Sequence, residues 1–132
     1  AYPGVREILE EHVGSGGLVA VISHSFAENV RRDYRENNLP RPDLVFGWDD
    51  DPTRRKPSPW PLEQVRDRLG LQPEEMLVVD DLKPGYDMAA SVGVPFAAAG
   101  WANDIPEIEA FMRAGCDRYF RTVAELQEFL SA

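Results

Sequence analysis

The sequence predicts an α/β fold, a three-layer α/β/α arrangement in which helices cover both faces of a parallel sheet. Three observations predict it. Short apolar runs near 18–23, 44–47, 76–80, 95–99 and 118–120 alternate with helical stretches near 3–13, 26–37, 59–69, 85–92, 105–114 and 122–131. Runs such as Leu77-Val78-Val79 are uninterrupted and β-branched, the character of a strand buried on both faces. Gly70, Gly93 and Gly115 stand where a helix end needs a left-handed residue. With 132 residues and 43% hydrophobic content the chain is long enough for one domain with a real core, and neither a repeat nor a second domain is expected within 1–132.

The elements justify themselves in order. The first helix follows Tyr2-Pro3-Gly4-Val5 and closes near His12, whose imidazole is expected at the negative end of the helix dipole. The next strand, Leu18-Val19-Ala20-Val21-Ile22-Ser23, ends on a hydroxyl, and Ser25 and Glu28 have the spacing of a capping box, so a helix should start there. A serine at a strand end facing a helix N-terminus is a ready phosphate site, because free N–H groups and the dipole both favour an anion. Its plainer reading is a residue that terminates the strand. Leu44-Val45-Phe46-Gly47-Trp48 is the second strand.

Arg55-Lys56-Pro57-Ser58-Pro59 fixes a cation in an extended segment, since the prolines restrict the backbone on either side. A lysine held this way can act as a point charge against a phosphoryl group or a carboxylate nucleophile, although a solvated surface lysine is the ordinary alternative. The third strand delivers two adjacent carboxylates, Asp80 and Asp81, to its carboxyl end, before the turn residues Lys83-Pro84-Gly85. Ligand sites in open parallel sheets lie at such ends. Mg²⁺ takes hard oxygen ligands, keeps several waters and uses only one or two protein carboxylates with a substrate phosphate, so this pair suits it. The plainer reading has one Asp capping the next helix and the other solvated. Asp104, beside Pro106, is the expected cap of the fifth helix, and Trp48, Trp60 and Trp101 are read as packing, with Trp101 at a site rim.

Composition narrows the partners. With 14 basic against 23 acidic side chains the net charge is -9, which argues against nucleic acid and anionic membranes. Arg31-Arg32 and Arg54-Arg55-Lys56 are too short to overturn that. The single cysteine, Cys116, makes no internal disulfide and is read as a small buried hydrophobe in a reducing, cytoplasmic setting. No apolar stretch approaches the eighteen residues of a membrane span.

Strand-Ser23, then Lys56-Pro57-Ser58-Pro59, then strand-Asp80-Asp81-x-x-x-Gly85, each followed by a helix, resembles the haloacid dehalogenase-like hydrolase superfamily over nearly the whole chain. The pattern is nearest to the branch of β-phosphoglucomutase and phosphoglycolate phosphatase, where Ala89-Ala90-Ser91-Val92-Gly93-Val94-Pro95 is also typical. The resemblance implies a Rossmann-like core and a Mg²⁺-dependent reaction on a small phosphorylated metabolite through an aspartyl-phosphate. It gives Ser23 and Lys56 catalytic roles, assigns phosphate binding to Ser23, His24 and Lys56, and makes Asp81 a direct ligand of Mg²⁺ with Asp80 completing the set directly or through water. A histidine at the position of His24 is more often a hydrogen-bonded loop residue.

The family's nucleophile lies in an N-terminal Asp-x-Asp-x-Thr/Val motif on a strand between those of Ser23 and Asp80, ahead of a cap domain. Neither is found in this chain, which on that ground is expected to be a core incomplete at its N-terminus and inactive alone. Asp49-Asp50-Asp51-Pro52-Thr53 matches the motif formally, but it falls in the variable loop before Lys56, where acidic residues are ordinary solvated surface. The strands flanking the gap are expected to pair directly, to accept a strand from another chain, as in a homodimer, or to surround a cleaved N-terminal segment. The rival readings are a non-catalytic binding or scaffold module on the same fold, a dehalogenase, which has no need of the acidic pair's metal, and a receiver domain, whose acidic pair comes at the wrong end of the chain.

Overall fold

The computed structural model describes residues 2–48, 51–116 and 118–131 and divides into two compact units, Ala1–Arg55 and Lys56–Ala132.

The first unit contains helix α1 (Val5–Gly14), strand β1 (Ala20–Ile22), helix α2 (Ala27–Glu36), strand β2 (Leu44–Phe46) and a 3-10 turn over Pro52–Arg54. β1 and β2 are parallel, with Ala20 opposite Leu44 and Ile22 opposite Phe46. Asp43 clasps the start of the ladder: its N–H donates to Val19 O at 2.7 Å, and its carboxylate accepts from Val19 N at 2.8 Å. Ser23 N prolongs the ladder by donating to Phe46 O at 2.9 Å. Ile8, Val30 and Phe46 are this unit's buried apolar side chains, one each from α1, α2 and β2.

The second unit contains helix α3 (Trp60–Leu69), strand β3 (Val78–Asp80), helix α4 (Lys83–Val92), strand β4 (Phe96–Ala99), helix α5 (Pro106–Gly115), strand β5 (Arg118–Phe120) and helix α6 (Val123–Ser131). Its sheet has the order β3-β4-β5 and is parallel throughout. The central strand is buried along its length, and Met88 of α4 and Met112 of α5 are among the largest fully buried side chains. The α/β class, the parallel strands and the six helices are as the sequence predicts.

Several local expectations change. α2 is capped by Phe26 with no side-chain cap bond, so Ser25 and Glu28 form no capping box. Ser25 instead spends its N–H on Ser23 Oγ and its carbonyl on Trp48 N, which holds it one residue outside the helix. α4 starts at Lys83, so the three turn residues make its first helical turn; Pro84 fits there because the N–H it lacks would have no intrahelical partner. α5 opens on Ile105 and Pro106 without a side-chain cap, leaving Asp104 exposed and not a cap. Gly70 and Gly93 are left-handed caps (φ 66° and 78°), and Leu71 N and Val94 N reach back to Arg66 O and Ala89 O in Schellman fashion. Gly115 is the last helical residue instead; the extended Cys116 ends α5, and Tyr86 Oη donates to Gly115 O at 3.0 Å.

β3 also differs from its reading as a strand buried on both faces. Val79 is 42% exposed, because β3 is an edge: among the described residues it pairs only with β4, and β1 pairs only with β2.

Candidate functional site

Asp80 is the last residue of β3, and its carboxylate is held from several directions. Lys56 Nζ donates to Oδ2 at 2.6 Å, and the N–H of Asp81 donates to Oδ1 at 2.8 Å. The Lys56 and Asp80 side chains are only 13% and 17% exposed, so this pair is far from the surface ion pairs that water screens. Gly85 lies close against it: a β-carbon there would overlap the Asp80 carboxyl group. The glycine four residues after the acidic pair thus has a physical reason. It lets the first turn of α4 lie against Asp80.

Asp81 stands one residue beyond the strand and is half-buried. Burial lifts its carboxyl above the ordinary carboxylate range, and the hydrogen bond with Asp80 and that group's charge lift it further. Asn103 and a backbone N–H donate to it and pull the other way. Asn103 Nδ2 also reaches the Asp81 backbone carbonyl at 3.3 Å. Asp81, Asn103, Gly100 and Tyr119 line a cavity of about 10 Å³, room for a single water.

Two carboxylates close enough to share a proton are an unfavourable pair in isolation, and a divalent cation relieves them as a proton does. Among the described residues no group of three or more His, Cys, Asp or Glu gathers to hold a metal. Two adjacent carboxylates at a strand end nevertheless match what Mg²⁺ asks of a protein, since water and substrate phosphate supply its remaining oxygens. Asp80 and Asp81 fit that ion in ligand type and number.

Ser23 and His24 belong to the first unit, at the carboxyl end of β1. Ser23 Oγ accepts from Ser25 N at 3.0 Å, a bond that leaves the hydroxyl hydrogen for another acceptor. His24 is exposed, and its ring meets Trp48 edge-on at 5.7 Å. Trp48 is tied down more firmly than packing alone implies: its N–H donates to Ser25 O, its carbonyl accepts from Arg55 Nη2 at 2.7 Å, and the Arg55 guanidinium lies 3.4 Å from the ring centre. Of the Asp49-x-Asp51-x-Thr53 match, Asp49 and Asp50 lie outside the described residues. Asp51 caps the 3-10 turn through Thr53 N and Oγ1, and those bonds lower its carboxyl below the usual value.

Lys56, Asp80 and Asp81 are therefore brought together at the carboxyl end of β3. One further contributor, Asn103, carries no motif. Asn103 sits just past the end of β4, the neighbour of β3, and its only sequence signal is that position at the same edge of the sheet.

A lysine-bound carboxylate with a second carboxylate beside it stands at the carboxyl end of a parallel strand, where α/β folds bind their ligands. The chain belongs to the haloacid dehalogenase-like hydrolases: that family's model matches residues 1–99. Solved structures agree. A predicted phosphoglycolate phosphatase from Haemophilus somnus is 23% identical with a TM-score of 0.82, the match covering 98% of this chain and 56% of that one. A protein assigned as a β-phosphoglucomutase from Thermotoga maritima is 25% identical, TM-score 0.77, covering 98% and 59%. A dehalogenase is 26% identical, TM-score 0.77, covering 98% and 56%. The chain thus spans a little over half the length of these structures. A comparison with curated proteins finds no match.

Proposed function

We propose that this chain is the core of a Mg²⁺-dependent hydrolase of small phosphate esters that works through an aspartyl-phosphate. The observation that carries the reading is the Lys56–Asp80–Asp81 arrangement at the end of β3. In it Asp81 is the direct ligand of the metal, and Asp80, already neutralised by Lys56, completes the set. Mg²⁺, when bound, offsets charge on the transferring phosphoryl group. Lys56 orients Asp80 and adds a positive charge beside the phosphate, and Ser23 donates its hydroxyl hydrogen to a phosphoryl oxygen, with His24 beside it. The nucleophilic aspartate is assigned to the part of the relatives' length that this chain does not match. It attacks phosphorus, the ester oxygen leaves with the electron pair of the broken bond, and water then hydrolyses the acyl phosphate.

The open edge of β3, with Val79 exposed, is where a further strand adds, from a separate N-terminal segment or another copy of the chain. The substrate is a small phosphorylated metabolite and the setting cytoplasmic; among the described residues no helix is long and apolar enough to cross a membrane. The acidic pair favours this reading over dehalogenation, for which no metal is needed.

The test is release of inorganic phosphate from p-nitrophenyl phosphate and small sugar phosphates by this chain together with the segment that supplies the nucleophile, with Mg²⁺ and with EDTA. Mg²⁺-dependent release, lost in Asp81→Asn and Lys56→Ala, is the expected result. Folded full-length protein that binds Mg²⁺ yet turns over none of these esters would instead mark a non-catalytic module on this fold.

A further inference from the structure

Resting on that reading, the geometry points to Asn103 as a positioning residue that fixes Asp81 for a divalent cation. Asn103 enters from the loop after β4, across the sheet from the acidic pair. Its side-chain amide donates to the Asp81 backbone carbonyl at 3.3 Å, and Asn103 and Asp81 line the same small cavity. Asp81 lies beyond the last paired residue of β3, so the ladder with β4, which ends at Asp80 opposite Ala98, does not fix it. Asn103 supplies the missing restraint. Holding the main chain of Asp81 where the ladder has ended sets the place from which its carboxylate projects.

The kind of donor matters as much as its position. Asp80 is neutralised by a full cation, whereas Asp81 is held by a neutral amide. A lysine or arginine at 103 would restrain Asp81 equally but would repel a divalent ion and compensate the carboxylate in its stead. The amide orients without neutralising, so Asp81 keeps its negative charge for the metal. The difference between the two partners thus divides the labour of the pair: Asp80 is a braced support, and Asp81 is the available ligand. Groups that hydrogen-bond a ligating carboxylate set metal affinity in this way without touching the ion.

The test is Mn²⁺ binding by the full-length chain, read from the electron paramagnetic resonance of free Mn²⁺ well below the melting temperature. The metal-induced rise in Tm is measured alongside. Asp81→Asn is expected to abolish the high-affinity site, and Asn103→Leu, of similar size but without donors, to weaken it about tenfold. The metal-free Tm should change little while the metal-induced rise shrinks, a split that a purely structural role would not produce. Should Asn103→Leu fold poorly, Asn103→Ser is measured by the same criterion. Wild-type Mn²⁺ affinity in a folded Asn103 variant, with Asp81→Asn deficient, overturns the positioning role and leaves the metal reading standing. Equal binding by wild type and Asp81→Asn overturns both.

Discussion

Lys56 Nζ lies 2.6 Å from Asp80 Oδ2, so the motif lysine's charge is committed to the motif aspartate before any substrate arrives. Removing one partner of a largely buried pair leaves the other charged and uncompensated. Lys56→Met is expected to destabilise the protein by ~2 kcal/mol, between the values for exposed and fully buried pairs. Urea denaturation monitored by circular dichroism checks this, and phosphatase activity should fall at least about a hundredfold.

Gly85 offers a test in which the sign decides. Glycine to alanine inside a helix ordinarily stabilises by about 0.5–1 kcal/mol. Gly85→Ala should do the opposite, since its new methyl group would displace the Asp80 carboxylate. Gly14, in α1, has open space where a β-carbon would stand, with nothing within 4 Å, so Gly14→Ala should show the ordinary gain. The two melting temperatures, compared with wild type, check the contrast.

Gly100 is constrained by backbone as well as side chain. A β-carbon there would lie 2.6 Å from Phe120 O and 2.5 Å from Tyr119 Cζ. Gly100→Ala is expected to cost about 1–3 kcal/mol by urea denaturation, because a carbonyl in a strand cannot swing aside as a flexible side chain can.

The raised Asp81 carboxyl gives a pH dependence whose sign can be worked out. A group that binds its proton more tightly when folded contributes stability that is complete below its unfolded value, about 4, and is lost as pH rises through the folded one. In metal-free protein at neutral pH, Asp81→Asn should therefore raise Tm by up to about 2 °C, a small gain because solvent screens this half-exposed group. Since the metal binds the deprotonated form, Mg²⁺ affinity should climb with pH through the same window and then level off. Calorimetric Mg²⁺ titrations across the acid range check the second statement.

Ser23→Ala removes a hydroxyl that terminates β1 and accepts only one local N–H in the bonds described above. Phosphate release should fall about tenfold to a hundredfold while Tm moves by no more than a few degrees. A large loss of stability with activity retained would make Ser23 a strand terminator and nothing more.

How far the sequence can be read depends on the range of the forces involved. The alternation of apolar runs and helices is local, and it locates the strands and α-helices of the described residues, reading the first four strands longer than those formed and missing the 3-10 turns. Lys56, Asp80 and Gly85 stand out in the sequence because a cation, an acid and a glycine each leave a chemical trace at fixed spacing. Asn103 leaves none: an asparagine in a loop looks like any turn residue until β3 and β4 are set side by side. Two of the departures at the helix ends, at Ser25 and Gly115, share one cause. Spacing alone points to Ser25, Asp104 and Gly115, whereas Trp48 N and Tyr86 Oη, which engage Ser25 and Gly115, come from distant parts of the chain. Val79 departs from expectation for a similar reason, since a strand's hydrophobicity does not say whether it has a neighbour on each side.

β4 carries a wider consequence. Phe96, Ala97, Ala98 and Ala99 are all at most 6% exposed, and Met112 lines the small cavity with Ala98 and Ala99. Three alanines in the middle of a sheet leave no slack for growth, and the unbranched methionine beside them is the component able to reshape itself. Inherited variation along this strand should accordingly arrive in matched sets, a bulkier side chain at 98 or 99 travelling with a smaller one at 112. The history of the protein would then be written as paired exchanges across the sheet, with solitary changes confined to its rim.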